Sequence, residues 1–398
     1  MKRLTIFVVL VALIFTVEAK KNTTSTLVGS TMPAWSEGYL DIHTISTGRG
    51  ECILLVMPDG TSLVVDAGEF YRQGKKYTNI EQRPNAQVRP TKVFADYIRH
   101  FMPNKDIIDY FNVSHFHMDH MGAIEPEYKR DAEGGYVLTG VTALYHLLPY
   151  REIIDRAYPD YEELLGSAAS TNSANNYRKF IEHNKDKNGL KISRFELGAI
   201  NQFAMRYNAS AYPTFRIENI CSNGYVWENG KAVNVYADKT PRENAASCGF
   251  VVRYGKFDFL TAGDIGEGND LEYRVAEAVG QVEAVKAHHH LSPHSMCEKS
   301  MEVLLPRVMS VTSFYNREIQ PDQKKFDFIT QNGCKIFCTS VGEEMLEAYP
   351  TAYKMCDATS GHIVFRVEPE GKRYWVYVLD DRSSDYRITK VVGPFKSK

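Results

Sequence analysis

The stretch "IIDYFNVSHFHMDHMG", residues 107–122, places three histidines and an aspartate within six positions directly after an apolar run. The run "IIDYFNV" has the β-branched and aromatic content of a strand, so the histidines fall where that strand ends. Side chains alternate along a strand with period two, which sets His115 and His117 on the same side, where one metal ion can take both imidazoles. If the chain then turns into a helix, Asp119 and His120 swing towards a neighbouring position and can hold a second ion.

Three other apolar strands end in groups of the same chemistry. "SLVVDAG" ends in Asp66, whose carboxylate can accept the free ring N–H of a ligand histidine and fix its tautomer. "FLTAGDIG" ends in Asp264, which can bridge two ions through its two oxygens. "VEAVKAHHH" runs into His288, His289 and His290. Asp66 or Asp264 alone would pass for a turn aspartate, but delivery of polar groups by each strand at its C-terminal end points to one shared centre.

The rest of the chain is read around these strands. "GYLDIHTIS", "ECILLVMP" and "TSLVVDAG" form an opening β-meander, the last two joined by the turn Pro58-Asp59-Gly60. "TKVFADYIRHFM" has helical period, "GVTALYHLLPYREIIDRAYPDYEELLG" reads as a helix-rich connection, and residues 167–190 are polar and read as surface. "YPTFRIENI" is a strand, "GFVVRYGKFDFLTAGD" a hairpin turning at Tyr254-Gly255-Lys256, and "NDLEYRVAEAVG" a helix. Helices and strands then alternate to the closing strands "HIVFRVE", "YWVYVLD" and "YRITKVV". No fixed-period repeat marks a second unit, so the expectation is one α/β domain over 38–398 with two sheets covered by helices.

Composition sets wider bounds. The 398 residues are 43% hydrophobic and 24% charged with a formal charge of -2, an ordinary globular balance without a general attraction to nucleic acid or anionic membrane. Lys2 and Arg3, the apolar stretch Leu4 to Val17 and the small residues around Ala19 have the layout of a cleavable signal peptide over 1–19. A polar leader over 20–37 follows, and the expected location is secreted or periplasmic. No later segment is long and apolar enough to span a bilayer, so no integral membrane domain is expected. Seven cysteines are too few for a disulfide framework, and the odd count leaves at least one unpaired. Sequons stand at Asn22, Asn112 and Asn208, and a glycan on Asn112 would obstruct the histidine cluster.

"HFHMDH", the Asp66 strand, "TAGD" and a late histidine strand, in that order, resemble the metallo-β-lactamase superfamily. "DIHTISTGRGECILLVMPDGTSLVVDAG" resembles its ComEC-type subgroup, with Gly48-x-Gly50-Glu51 where that subgroup has Gly-x-Gly-Asp. "KAHHHLS" resembles its Lys-x-Gly-His-His-Gly-Ser. The likeness spans residues 38 to about 295. It implies an αββα four-layer sandwich with a dinuclear site at one edge. His115 and His117 would bind the first ion, Asp119 and His120 the second, and Asp264 would bridge. The pattern is also similar to secreted phosphorylcholine esterases, which assigns His290 to the metal and His289 to the transition state or proton donation. Asp119 and His289 are then the candidate catalytic residues. Because His288 occupies the family's glycine position, a shift of one in that pairing stays open.

The chain departs from many relatives in lacking a mid-chain histidine for the first ion. His146, Cys221 or water would complete it. His294 is expected at the rim, His362 at a capped strand end or on the substrate side, and His43 and His183 in structural or surface roles.

Two divalent ions, Zn first with Mn or Fe fitting the same donors, would hold a bridging hydroxide for hydrolysis. The expected function is a secreted phosphodiesterase or nuclease acting on a small-molecule or nucleic-acid phosphodiester. The alternatives are hydrolysis of an ester, lactone or β-lactam at the same site, and a metal-containing binding protein without turnover.

Overall fold

The structure, a computed structural model, describes residues 27–70, 80–164, 171–185, 187–237, 239–313 and 320–398. The expected signal peptide, the first part of the leader and the sequon at Asn22 lie outside them. Residues 27–37 pack onto the fold: Met32 is buried, and Gly29 and Ser30 exchange backbone hydrogen bonds with Ile388.

Among the described residues, eighteen strands form two mixed sheets. The first contains β1 Leu40–Thr44, β2 Ile53–Val56, β3 Ser62–Val65, β4 Ile108–Val113, β5 Tyr150–Asp155, β6 Lys191–Arg194, β16 His362–Val367, β17 Arg373–Leu379 and β18 Ile388–Lys396, in the order β18-β17-β16-β1-β2-β3-β4-β5-β6. The second contains β7 Phe215–Ser222, β8 Tyr225–Glu228, β9 Lys231–Asn234, β10 Gly249–Tyr254, β11 Phe257–Thr261, β12 Ala284–Lys286, β13 Val308–Val311, β14 Lys335–Cys338 and β15 Cys356–Ala358, in the order β15-β14-β13-β12-β11-β10-β7-β8-β9. The meander β1 to β3 is antiparallel and β3 to β6 are parallel. In the other sheet β10 and β11 form the expected hairpin and β11 to β15 run parallel.

Alternation along the strands divides the core. Leu40, Ile42, Leu55, Leu63 and Val65 of one sheet meet Ile217, Phe250, Val252, Phe259 and Phe337 of the other. The opposite face of the first sheet packs against the helices Pro90–Phe101, Gly140–Leu147 and Asn172–Asn184. That of the second packs against Leu271–Val279, Glu298–Leu304 and Phe326–Gln331. Each sheet is thus buried on both faces, which is why its central strands read as near-continuous apolar runs.

Two segments differ from expectation. The helix-rich connection contains β5, because Pro149 cannot continue the helix ending at Leu147 and the β-branched pair Ile153 and Ile154 fills both faces beside β4. The polar stretch 167–190 contains the helix Asn172–Asn184, whose Tyr177, Phe180 and Ile181 are buried, so its polarity covers only one face. All seven cysteines are free thiols. Among the described residues no helix is long and apolar enough to cross a membrane.

Candidate metal centre

The C-terminal ends of β3, β4, β11 and β12 converge, and the loop that opens β2 joins them. The chain leaves β4 as "SHF" and enters the short helix Met118–Met121 with His117 in extended conformation at its start. That helix is stitched to its surroundings through its backbone, Glu51 N donating to Asp119 O and Ala67 N to His120 O, and Gly68 N joins the two flanking loops by donating to Glu51 O. The approach is so close that a Cβ on Gly68 would lie 1.7 Å from Asp119 O, and one on Gly50, whose φ is +130°, would lie 2.7 Å from it. Glycine is required at both positions, and this accounts for the Gly50-Glu51 pair.

Within this frame four donors face one another. His120 Nε2 lies 3.1 Å from Asp264 Oδ2 and 3.3 Å from Asp119 Oδ2, and His290 Nε2 lies 3.3 and 3.2 Å from the same two oxygens. Two donors on one tetrahedral ion, each about 2.0–2.1 Å from it, stand about 3.3 Å apart. Beside this group His115 Nε2 and His117 Nδ1 face each other at 3.1 Å, with Asp264 Oδ2 3.8 Å from the former. Asp264 therefore reaches three of the histidines.

The outward nitrogens are fixed so that the inward ones stay available. His120 Nδ1 donates to Asp66 Oδ2 at 2.7 Å, and Asp66 is itself held by Ser114 N and Oγ at 2.7 and 2.6 Å. His290 Nδ1 donates to Thr312 O at 2.9 Å. Both tautomers present Nε2 inward, as a ligand histidine requires. His120 Nε2, Asp264 Oδ1 and Glu51 Oε1 are buried without a hydrogen-bond partner, a costly state that a cation would relieve.

Glu51 was not singled out as a ligand from sequence. It is fully buried and, with His120, Asp264 and His290, offers donor atoms that all lie within 4.8 Å of one another, a group that could hold a metal ion. Its Oε2 receives Lys286 Nζ at 2.6 Å and Thr312 Oγ1 at 2.7 Å. Its signal was the Gly-x-Gly-Glu opening and the lysine of "KAHHH".

The electrostatics follow from crowding. Glu51, Asp66, Asp119 and Asp264 are all buried, against the single ammonium of Lys286, so protons or a cation must neutralise the excess. Burial pulls the His120 imidazole down, yet Asp264, Asp119 and Asp66 hold it well above its ordinary value. Burial opposes the charged form of His290 as well, but Asp264 and Asp119 raise it to about 9. Burial also pushes the Asp119 and Asp264 carboxyls up, and the surrounding histidines outweigh it, leaving both well below the usual range. Burial, reinforced by His120, keeps His115 neutral. An ion entering here would exchange with protons.

The remaining histidines fall elsewhere. His288 turns away to Glu272 Oε1 at 2.8 Å. His289, half-buried, is held by Ser292 Oγ on Nδ1 at 2.9 Å and by Asn244 Nδ2 on Nε2 at 3.2 Å, and its ring centroid lies 6.2 Å from that of His290. Of the two, His290 joins the donor group. His294 is at the rim with its side chain 69% exposed.

Neither protein candidate for completing the first position reaches it. His146 bonds Tyr136 Oη at 2.8 Å beside Asp131, and Cys221 packs against Ser247 O with its thiol pushed up to about 12 by burial. His362 caps Ser46 N, and His43 meets Tyr97 Oη. Asn112 is fully buried with Nδ2 on Ile154 O, so the folded chain offers no room for a glycan there, whereas Asn208 is exposed. No family model matches this chain, and no curated protein matches its sequence.

Proposed function

We propose that the protein is a secreted hydrolase of the metallo-β-lactamase type, with an αββα layering, that uses two divalent ions to cleave a phosphodiester. What carries the proposal is the spacing of Asp119, His120, Asp264 and His290, 3.1 to 3.3 Å between facing donors, next to the His115–His117 pair. His115 and His117 would hold one ion, Asp119, His120 and His290 the other, and Asp264 both. Zn suits these nitrogen and carboxylate donors, and Mn or Fe fits them too. When bound, such ions supply an activated water and a positive field at the attacked centre.

The chain's own residues supply the rest. Asp66 and Thr312 O orient the two buried imidazoles, Glu51 and Lys286 balance charge behind them, and Asp119, at the head of its helix, presents its carboxylate to both. His289 stands beside His290 in a half-buried position. With substrate in place of its Asn244 contact, the imidazole would contact a phosphate oxygen or donate a proton to the leaving group. Phosphodiester cleavage suits such a centre because it depends mostly on positioning and charge stabilisation.

The test is titration of metal-stripped protein with Zn, Mn and Fe, followed by turnover of bis-p-nitrophenyl phosphate and of a p-nitrophenyl acyl ester. The expected result is two equivalents bound and phosphodiester turnover that disappears in His117→Ala with the fold retained. Turnover of the acyl ester alone would move the assignment to an ester or lactone hydrolase. Metal binding without either turnover would make it a binding protein, and no metal binding would overturn the proposal.

A further inference from the structure

The segment "ENAASC", Glu243–Cys248, has no apolar period and no metal-ligand spacing, yet it touches the loops that carry His115, Asp264 and His289. It consists of the single turn Asn244–Ala246 leading into β10, and it lies on the second sheet, opposite the histidine loop. Glu243 Oε1 accepts Phe116 N at 2.8 Å, the peptide between His115 and His117. Cys248 N donates to Ser114 O at 2.8 Å, one residue before His115. Ser247 Oγ accepts Asp264 N at 3.1 Å. Asn244 Nδ2 meets His289 Nε2 at 3.2 Å.

Glu243 is held in turn by Arg156, which follows β5 in the first sheet. The guanidinium donates Nε and Nη2 to its two oxygens at 3.0 and 2.6 Å, lies 4.7 Å from the centroid of the Phe116 ring and gives Nη1 to Asn223 Oδ1 at 2.9 Å. Arg156 is 1% and Glu243 6% exposed. A planar, bidentate and desolvated pair of this kind fixes direction as well as distance.

Resting on the metal assignment above, we infer that Glu243–Cys248 is a brace that positions the centre. Glu243 and Cys248 hold the backbone on either side of His115, Ser247 holds that of Asp264, and the brace sets the gap between the His115–His117 pair and the shared carboxylate. His115 and Asp264 sit on different sheets and have no direct hydrogen bond. Their 3.8 Å separation is bridged by one short segment in which Glu243 and Cys248 bond to the histidine loop and Ser247 to the Asp264 loop. Glu243, Ser247 and Arg156 are positioning residues: they act on the ions through the backbone.

Cobalt titration tests this, because Co2+ reports its ligand geometry through its visible d–d bands as well as its affinity. Wild type, Glu243→Ala, Glu243→Gln and Ser247→Ala are compared after circular dichroism and thermal melts establish which are folded. Glu243→Ala is expected to lose about 10- to 100-fold in affinity for one of the two equivalents, the cost typical of residues that orient ligands, with altered d–d bands. Glu243→Gln keeps a carbonyl oxygen for Phe116 N–H and is expected to restore most of the affinity, which a loss of the Arg156 ion pair alone would not allow. Ser247→Ala removes one hydroxyl and is expected to weaken cobalt binding about 10-fold.

Wild-type affinity and bands in Glu243→Ala would overturn the brace. If that variant does not fold, unchanged cobalt binding by Ser247→Ala overturns it and weakened binding supports it. Failure of the wild type to bind cobalt would remove the metal assignment itself and the brace with it, an outcome distinct from a binding wild type with unaffected variants.

Discussion

Two groups of histidines in this molecule are equally hidden from water and face opposite surroundings. His120 and His290 at the strand ends are fully buried, as is His43 of β1, and His362 of β16 is 1% exposed. Carboxylates surround the first pair and raise its proton affinity. His362 packs at a tilt against Tyr97, ring centroids 4.4 Å apart, with Ser46 N–H donating to its Nδ1, and burial lowers it to about 3. His43 is lowered by burial, with Arg366 and His362 adding to it. Burial alone therefore says nothing of what a histidine does. The identity of the groups facing its nitrogens separates a ligand from a packing residue.

The sharpest way to break the comparison is to remove the group that distinguishes the two. Asp264→Ala deletes the oxygen that lies within 3.8 Å of His115, His120 and His290 Nε2. If the proposed centre is right, metal content by elemental analysis should fall, and phosphodiester turnover should drop by more than about 10³-fold, since both the proposed ion site and its charge stabilisation would be lost. His362→Ala should keep metal content and turnover per folded molecule at wild-type values. Loss of metal in the latter would mean that the two groups are not functionally separate.

The same substitution sharpens the comparison through stability. His362→Ala leaves the buried Ser46 N–H without its acceptor and opens a gap against Tyr97, which should cost about 2–4 kcal/mol in urea denaturation. A cost below about 1 kcal/mol would show that the cap and the ring contact count for little.

How much of this was legible beforehand depended on the kind of signal each residue carries. His115 to His120, Asp66, Asp264 and the run His288 to His290 announce themselves, because an apolar strand followed at once by a ligating side chain is a local pattern, and four such strands imply a common end; which of His289 and His290 faces the centre takes the structure to decide. Glu51 carries no such mark. Its inward direction comes from the packing of Gly50 and Gly68 onto Asp119 O, a contact between segments distant in sequence. The brace at Glu243–Cys248 is legible only in three dimensions, since its partners Phe116, Asp264 and His289 come from three separate loops. β5 is hard to read from sequence because a strand of six residues directly after a helix and a proline has too little alternation to stand out, its last three residues all being buried.

An effect that grows only as pH falls follows from the depressed His362. Its imidazole is neutral in the folded chain down to about pH 3 but takes up a proton near its ordinary value of about 6.5 when unfolded. The unfolded state thus binds more protons between those values, and its contribution to stability is complete above about pH 6.5 and declines as pH falls, by at most about 1.4 kcal/mol per unit. Chemical denaturation at several pH values should show this slope reduced in His362→Gln, which cannot titrate. An identical slope in wild type and variant would assign acid sensitivity to other groups, His43 first among them.

The smallest effect belongs to the histidine between the two groups in character. His294 follows the His288–His290 turn closely in sequence, but its side chain is 69% exposed and its contact with Glu267 Oε1 is 3.3 Å across a solvated surface. An exposed pair of this kind contributes little, so His294→Ala should change stability by no more than about 0.5 kcal/mol and leave cobalt stoichiometry at the wild-type value. A lost equivalent would place His294 among the ligands despite its exposure. That would reverse the rule drawn from the buried groups, because proximity in sequence would then have outweighed the groups its nitrogens face.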